Sequence, residues 1–322
     1  MLRSTWPVVG FRPDSRWDRG QDALDSTRSV AVGGGLKPPP TRATVWRGMI
    51  MDEFALAEDF QFDAQGFLML RNVFDAERCR RYLEELERLF ARKYDDPWLH
   101  DGVRGQTTVQ ISEGQRRING LPLWTEVFDE VISFAPVVER LRRWMQHPQL
   151  VNTWAIEKTE GTPWGGWHRG LNPDDYTVRR GQIRTRMLNC VYFLTDNDEE
   201  DGCLTVVPGA HKSEIDLPMA EYRGRDLPGA VRVTGKAGDM VMFSETLLHT
   251  GATKSSSRQR TNLYFNYIDA TYNPAMRELL AGNQGNVNHY VFPPAVRSRF
   301  DETQRELTEW MEWQRTAPAS SG

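Results

Sequence analysis

The sequence predicts a mainly β protein of the sandwich or barrel type, with helices placed before the strands. From about residue 148 onward, short apolar runs alternate with turn-forming segments, which is typical of such folds. Helices and strands come in separate blocks, which disfavours a doubly wound α/β sheet. The apolar fraction of 39% and the eleven tryptophans are enough for a sizeable core in 322 residues. The predicted strand segments are QLVNTWAIEK, TRMLNCVYFLT, GCLTVVPG, AVRVT, DMVMFSE and TNLYFNYI.

The N-terminal third is predicted to be an extension followed by helices. Residues 1–50 are rich in Gly, Pro, Arg and Ser without periodicity, so we expect a disordered extension there and one domain over 52–315. A strand is expected over 67–73, and a helix follows with Asp75 as its N-cap. Further helices are predicted over 124–145 and 299–315. The apolar positions at helical spacing after Asp75 are Cys79, Tyr82, Leu83, Leu86, Leu89 and Phe90.

Charge and composition exclude several classes of function. The net charge is −4 and no long basic block follows the N-terminal tail, so nucleic acid is not an expected partner. No segment has the length of a membrane-spanning helix, and no secretion signal is present, so a cytoplasmic location and no membrane partner are expected. Cys79, Cys190 and Cys203 lack CxxC spacing and are predicted to be reduced thiols.

Two of the six histidines stand in contexts that suit a metal site. His168 lies in WGGWHRG, where glycines leave room and tryptophans can wall a cavity. His249 ends the run DMVMFSETLLHTG. The other four, at 100, 147, 211 and 289, have no metal-ligand spacing, and His211 is expected to structure its loop.

An arginine follows His249 at a position from which it could bind a carboxylate. Arg260 is eleven residues on and opens the strand RTNLYFNY, where period-two alternation places it on one face with Asn262, Tyr264 and Asn266. Its guanidinium can clamp a carboxylate with two parallel hydrogen bonds. Arg258 is the second candidate if the strand begins earlier.

The region from about 59 to 267 resembles the phytanoyl-CoA dioxygenase family of iron(II)/2-oxoglutarate oxygenases. The segments that carry the resemblance are GFLMLRNVFD, WHRG, VYFLTDNDEEDGCLTVVPGAHK and GDMVMFSETLLHTGATKSSSRQR. It implies a double-stranded β-helix (a cupin-like jelly roll), with iron(II) on His168 and His249. It also implies that 2-oxoglutarate chelates the metal and that its far carboxylate pairs with Arg260. The expected partners are O2 and a small-molecule substrate with an aliphatic C–H bond.

One residue departs from the family pattern. The motif is normally His-x-Asp, whose aspartate completes a facial triad, but here the third position is Gly170. In a first interpretation the missing carboxylate is functional. Related halogenases have Gly or Ala at this position and bind chloride or bromide there, and Arg169 could help to hold the anion.

In a second interpretation the enzyme hydroxylates, and water or a carboxylate from elsewhere completes the metal sphere. Asp174, Asp175 and Glu245 are the nearest in sequence. Glu245 precedes His249 by four residues, so a regular strand would place both on one face. In a third interpretation catalysis is lost and a jelly-roll binding protein remains, although His249 and Arg260 are both retained.

The remaining motifs have less specific interpretations. Trp154, Trp164 and Trp167 could line the pocket, with core packing equally suited to Trp154. The acidic run DNDEED, 196–201, is predicted to be a solvated turn, since it lacks the spacing of a calcium loop. No nucleophile elbow and no phosphate-binding glycine loop appear, so neither serine hydrolysis nor a nucleotide cofactor is indicated.

Overall fold

Helices precede strands along the chain in the computed structural model, which describes residues 45–46, 49–50, 53–92, 109–112, 114–271 and 292–309. The α-helices are α1 (Glu53–Gln65), α2 (Ala76–Phe90), α3 (Leu121–Trp124), α4 (Asp129–Ile132), α5 (Ala135–Trp144), α6 (Pro294–Arg297) and α7 (Glu302–Glu306). The strands are β1 (Val45–Trp46), β2 (Met49–Ile50), β3 (Phe67–Leu70), β4 (Val109–Ser112), β5 (Gln115–Asn119), β6 (Pro148–Lys158), β7 (Tyr176–Arg179), β8 (Gln182–Thr185), β9 (Met187–Phe193), β10 (Leu204–Val206), β11 (Val231–Val233), β12 (Met240–Ser244), β13 (His249–Gly251) and β14 (Arg260–Asp269). Short 3-10 helices cover Glu126–Phe128, Pro173–Asp175, Ala210–Lys212 and Met219–Tyr222.

The predicted extension, residues 1–50, lies outside the described residues except for β1 and β2. These two short strands pair antiparallel, Val45 with Ile50 and Trp46 with Met49. The predicted domain limits, 52–315, stay a prediction.

Helix α2 forms where the periodicity indicated. The Asp75 side chain accepts a hydrogen bond from the backbone N–H of Arg78, which satisfies one of the unpaired N–H groups of the first turn. Its buried residues include Cys79, Tyr82 and Leu86, the apolar stripe read from the sequence. The helix therefore covers one face of the main sheet with its apolar side.

The helical stretch predicted over 124–145 is present but is broken into short pieces. Thr125 is extended (φ −162°, ψ 150°), ends α3 and caps the following 3-10 turn through its hydroxyl. Pro136 lies in the first turn of α5, where its missing N–H costs nothing, whereas it would interrupt a continuous helix. These pieces still bury apolar residues such as Phe128 and Trp144.

Two facing sheets make up the β region, in agreement with the mainly β prediction. The larger has seven antiparallel strands in the order β3-β12-β9-β14-β6-β5-β4, and the smaller has three in the order β11-β10-β13. A separate hairpin joins β7 and β8.

The two faces of the larger sheet have different environments. Along β14, Leu263, Phe265 and Tyr267 belong to the core shared with the helices, whereas Arg260 and Tyr264 face the other way. This is the alternation predicted from the sequence. The second face packs in part against the smaller sheet through a separate apolar cluster, and the remainder of that face lines a cavity.

The C-terminal helix is described only in part. Helix α7 begins after Asp301, whose carboxylate accepts a hydrogen bond from the backbone N–H of Gln304. In return, the side-chain oxygen of Gln304 accepts one from the backbone N–H of Asp301. The rest of the predicted helix, after 309, lies outside the described residues. None of the helices in the described ranges has the length and apolar character needed to cross a bilayer.

Candidate active site

A cavity of about 670 Å³ opens between the two sheets and contains most of the residues singled out from the sequence. Four cationic side chains line it, whereas Glu245 is the only carboxylate among the described lining residues. The polar and charged lining residues are Gln115, Arg117, Asn152, Lys158, His168, Arg169, Asn189, Glu245, His249, Thr250 and Arg260.

His168 and His249 lie side by side at one end of the cavity. Their backbones exchange two hydrogen bonds, each N–H donating to the other's carbonyl at 3.0 Å, and their ring centroids are 4.2 Å apart. The fold therefore brings together two residues 81 positions apart through a pair of backbone contacts.

The hydrogen bonds of the two rings determine which nitrogen is available to a metal. Nδ1 of His168 lies 3.0 Å from the carbonyl of Gly166, and Nδ1 of His249 lies 2.8 Å from that of Leu247. A carbonyl can only accept, so both Nδ1 atoms must donate and both Nε2 atoms keep a lone pair. Burial, with His168 close by, lowers the pKa of His249 to about 3, so its ring is neutral at neutral pH.

A carboxylate fills the space that Gly170 leaves empty. A Cβ built on Gly170 would collide with Oε1 of Glu245 and lie only 2.8 Å from its Cγ and Cδ. The backbones are also joined, since the N–H of Gly170 donates to the Glu245 carbonyl at 3.1 Å. Nδ2 of Asn189, on β9, donates to Oε2 of Glu245. Burial raises the pKa of Glu245, against the opposing effects of Asn189 and His168.

The other two carboxylates considered from the sequence lie elsewhere. Asp175 is buried in an ion pair with Arg186 at 2.9 Å and caps the turn that begins at Asn172. Asp174 is exposed, and neither aspartate lines the cavity.

The segment from Glu245 to His249 is not the regular strand that was expected. Strand β12 ends at Ser244 and β13 begins at His249, with a turn between them closed by the N–H of Leu247 on the Ser244 carbonyl. Both side chains nevertheless line the cavity.

The donor types at this end suit iron(II), which is commonly bound by two imidazoles and one carboxylate. In the described ranges, no three His, Cys, Asp or Glu side chains are already gathered into a metal-binding group. The two histidines are in place, and the Glu245 carboxylate is held next to them by Asn189.

The cavity also contains a buried cationic pair formed by Arg260 and Lys158. Nε of Arg260 donates to Oδ1 of Asn197 at 2.8 Å, whereas its Nη1 is buried without a hydrogen-bond partner within the described part of the chain. Buried donors are rarely left unsatisfied, which indicates a place for an acceptor from a ligand.

Lys158 adds a second positive charge next to this arginine. Its Nζ makes one long hydrogen bond, 3.5 Å, to the carbonyl of Gly202. Gly251 makes room for it, because a Cβ there would lie 2.7 Å from Nζ. Burial and the neighbouring Arg260 lower the pKa of Lys158 to about 7. Lys158 was not predicted as a site residue, because its importance depends on neighbours from distant strands.

The two remaining arginine candidates have other contacts. Arg258 pairs with Asp198 and Asp201, is half exposed, and does not line the cavity. Arg169 does line it, and its Nη1 donates to the carbonyl of Ser213 at 3.1 Å. The structure thus places Arg260, and not Arg258, on the cavity wall.

The acidic run 196–201 is only partly the solvated turn that was predicted. Asp201 is fully buried and pairs with Lys254, Ser256 and Arg258. It fixes the loop after β13 because a buried carboxylate needs such partners.

One wall of the cavity is aromatic and polar. Trp154 stacks with Tyr264 at 5.5 Å between centroids and lies under the guanidinium of Arg117 at 4.5 Å. Nε1 of Trp154 and Oδ1 of Asn152 are buried without hydrogen-bond partners among the described residues. Trp164 and Trp167, also predicted as pocket residues, pack against each other outside the lining.

The other described histidines are remote from the metal-site candidates. His211 is buried against Tyr176 and Gly66, in agreement with a structural role in its loop. His147 pairs with Glu309 at 3.4 Å, and His100 and His289 lie outside the described residues. The three cysteines are free and buried, as predicted.

Comparison with known sequences adds independent support. Residues 62–262 match the family model of phytanoyl-CoA dioxygenase. Ectoine dioxygenase of Bordetella parapertussis is 24% identical over 266 residues, covering 70% of this chain and 80% of that protein. Dioxygenase hkm4 of Aspergillus hancockii is 23% identical over 241 residues, covering 71% and 73% respectively.

Solved structures share the fold. HygX of Streptomyces hygroscopicus, crystallised with nickel, 2-oxoglutarate and hygromycin B, aligns with a TM-score of 0.54 at 20% identity, over 66% of this chain and 87% of that one. SnoN, a 2-oxoglutarate-dependent epimerase from nogalamycin biosynthesis, aligns with a TM-score of 0.51 at 20% identity, over 68% and 84%. The double-stranded β-helix expected from the sequence is confirmed.

The family match spans more than half of the chain and includes both histidines and Arg260. Iron(II) and 2-oxoglutarate are the cofactor and co-substrate of such dioxygenases, and the cavity offers imidazoles for the first and a buried cationic pair for the second. This chain is therefore a member of the phytanoyl-CoA dioxygenase family of iron- and 2-oxoglutarate-dependent oxygenases.

Proposed function

We propose that this protein hydroxylates an aliphatic C–H bond of a small polar molecule. The overall reaction is R–H + O2 + 2-oxoglutarate → R–OH + CO2 + succinate. The observation that carries the proposal is that one cavity is lined by the paired histidines, a carboxylate and a buried arginine with an unsatisfied nitrogen.

In this proposal the two histidines hold the metal. Nε2 of His168 and of His249 would be the ligating atoms, since each Nδ1 is committed to a backbone carbonyl. Iron(II), when bound with 2-oxoglutarate, supplies the centre at which O2 is activated. The neutral state of His249 keeps its lone pair available without a proton to displace.

Arg260 and Lys158 would bind the far carboxylate of 2-oxoglutarate. The unpaired Nη1 of Arg260 provides a donor, and Asn197 holds the guanidinium in place through Nε. A carboxylate there neutralises two buried charges that otherwise repel each other, which makes the site specific for an anion.

The substrate would contact the wall formed by Asn152, Trp154 and Tyr264. Two polar atoms of that wall, Oδ1 of Asn152 and Nε1 of Trp154, lack partners within the described residues. A substrate with one hydrogen-bond donor and one acceptor would satisfy both, whereas a purely apolar substrate would leave them buried and unsatisfied at a cost of about 1–3 kcal/mol each.

The histidine assignment is tested by anaerobic titration with iron(II) and 2-oxoglutarate. The wild-type protein should develop the visible charge-transfer band of the chelate, and His168→Ala and His249→Ala should each abolish it. Succinate formation in air should fall by about three orders of magnitude or more in both variants, in line with the loss of the oxygen-activating centre.

His147→Ala is the matched control, because this histidine lies outside the cavity in a partly exposed pair with Glu309. It should leave the band and succinate formation unchanged. A wild-type protein that gives no band would instead support the binding-protein interpretation, in which catalysis has been lost.

A further inference from the structure

We propose that Glu245 is the carboxylate ligand of the metal, replacing the aspartate that the family motif would place at position 170. The inference rests on the proposed function and extends it, because it assigns the third protein ligand and with it the outcome of the reaction. Three features of the structure carry it, of which the first two concern the same contact between Gly170 and Glu245.

The first feature is the position of the carboxylate. Oε1 of Glu245 lies in contact with the point at which a side chain of residue 170 would begin, and Cγ and Cδ lie 2.8 Å from that point. An aspartate at 170 would direct its carboxylate from that same point. The glutamate therefore places a carboxyl group in the same region, but from the turn between β12 and β13.

The second feature is the reason for glycine at this position. Gly170 is not among the residues with positive φ, so its backbone conformation is open to any residue. With Glu245 in its present position there is no space for a side chain at 170, and even a Cβ would require the glutamate side chain to move. Glycine at 170 and glutamate at 245 form a complementary pair.

The third feature is the support of the carboxylate. Nδ2 of Asn189 donates to Oε2 of Glu245, and Oε1 lies against residue 170. Ligating carboxylates are commonly oriented by such an outer hydrogen bond. The glutamate side chain would rotate toward the two histidines on metal binding to complete a two-histidine, one-carboxylate set, which is not yet gathered among the described residues.

The assignment has a chemical consequence for the halide interpretation. In that interpretation the space beside Gly170 holds chloride or bromide, but the Glu245 carboxyl group already fills it. A halide would have to displace this carboxyl group, because the two cannot occupy the same position. The expected product is therefore the alcohol, with or without halide in the buffer.

The test compares Glu245→Ala and the isosteric Glu245→Gln with wild type by Mn(II) titration, in which electron paramagnetic resonance reports the unbound ion. Both variants should bind Mn(II) more weakly by at least about 10–100-fold. Loss of an outer-shell hydrogen-bond partner already reduces metal affinity by that much, and loss of a direct ligand should reduce it no less. Thermal melts establish that both variants are folded. Unchanged Mn(II) affinity in Glu245→Gln would overturn the proposal.

A ligand exchange gives the decisive comparison. Gly170→Asp alone should bind Mn(II) poorly because the new side chain collides with Glu245, whereas Gly170→Asp combined with Glu245→Ala should recover most of the affinity and of the succinate formation. If the double variant binds no better than Glu245→Ala alone, the two positions are not equivalent and the proposal fails.

Two further arms separate this inference from the proposed function. Asp174→Ala should leave Mn(II) affinity unchanged. If Asp174→Ala loses Mn(II) affinity while Glu245→Ala retains it, the ligand is Asp174 instead. Chloride or bromide should change neither the iron(II)/2-oxoglutarate band nor succinate formation. A halide-dependent band in a wild-type protein that forms succinate would overturn the Glu245 assignment while leaving the oxygenase function standing.

Discussion

The two charged regions of the cavity differ in how their charges are balanced. Around the histidines, two imidazoles lie beside the Glu245 carboxyl group, which already has a hydrogen-bond donor, Asn189. Around Arg260 and Lys158, two cationic groups are buried together, whereas the one carboxylate among the described lining residues lies at the histidines. The fold brings the two histidines together before any ligand arrives, and the cationic region is completed only by an anion.

This difference predicts that the metal ion and the dicarboxylate are recognised in different ways. A metal ion finds two imidazoles that the fold has already paired, each oriented by a backbone carbonyl at Nδ1. A dicarboxylate instead relieves the repulsion between two buried cations, so the gain comes from the ligand's own charge. The following three changes, from the largest expected effect to the smallest, test this contrast.

Arg260→Ala should have the largest effect on 2-oxoglutarate binding. Removal of one partner of a buried charge pair costs about 2–5 kcal/mol, which is roughly 30-fold or more in Kd. Isothermal titration with 2-oxoglutarate in the presence of Mn(II) measures it. Arg258→Ala should have a far smaller effect because that side chain pairs with Asp198 and Asp201 outside the cavity. Equal effects of the two variants would contradict the assignment of the cationic region to Arg260.

Asn189→Ala should weaken the metal region and leave the cationic region intact. Loss of the hydrogen bond to Glu245 should reduce Mn(II) affinity by about 10-fold, at the lower end of outer-shell effects. The Kd for 2-oxoglutarate measured at saturating Mn(II) should change little. A larger change in 2-oxoglutarate affinity than in metal affinity would show that the two regions are not separable in this way.

Lys158→Met should have the smallest effect, and its size should depend on pH. The pKa of Lys158 is lowered to about 7, so wild type carries this charge below pH 7 and loses it above. Affinity for 2-oxoglutarate should therefore decline by a few-fold between pH 6 and 8 in wild type and stay nearly constant in the variant.

The same shift has a defined sign for stability. Between pH 7 and 10.5 the folded state binds fewer protons at Lys158 than the unfolded state, so the free energy of unfolding should rise with pH in this window. Thermal melts of the ligand-free protein at pH 7 and 9 should show this rise in wild type and a smaller one in Lys158→Met. A steeper rise in the variant would contradict the lowered pKa.

Much of the fold could be predicted because each element carries a local signal. The alternation along β14 correctly placed Arg260 and Tyr264 on the face opposite Leu263 and Phe265. The helical stretch predicted over 124–145 is helical in short pieces, because Thr125 and Pro136 end and restart helices.

The site was predictable only where a residue has a distinctive local sequence context. His168 and His249 could be recognised from their sequence contexts, and they do meet in the structure. Lys158 and Asn189 could not, since their importance depends on neighbours from distant strands. Glu245 was one of three open alternatives, and the structure separates it from Asp174 and Asp175 by proximity to Gly170 and not by periodicity.

The paired backbone hydrogen bonds between His168 and His249 have a consequence for the thermodynamics of assembly. Their spacing is set by the same geometry that fixes opposite residues in any antiparallel ladder, about 5.5 Å between Cα atoms. The conformational entropy lost in bringing the two segments together is therefore lost during folding and not during metal uptake. The apoprotein should consequently retain its folded core under chelation, unlike small domains that a metal ion must hold together.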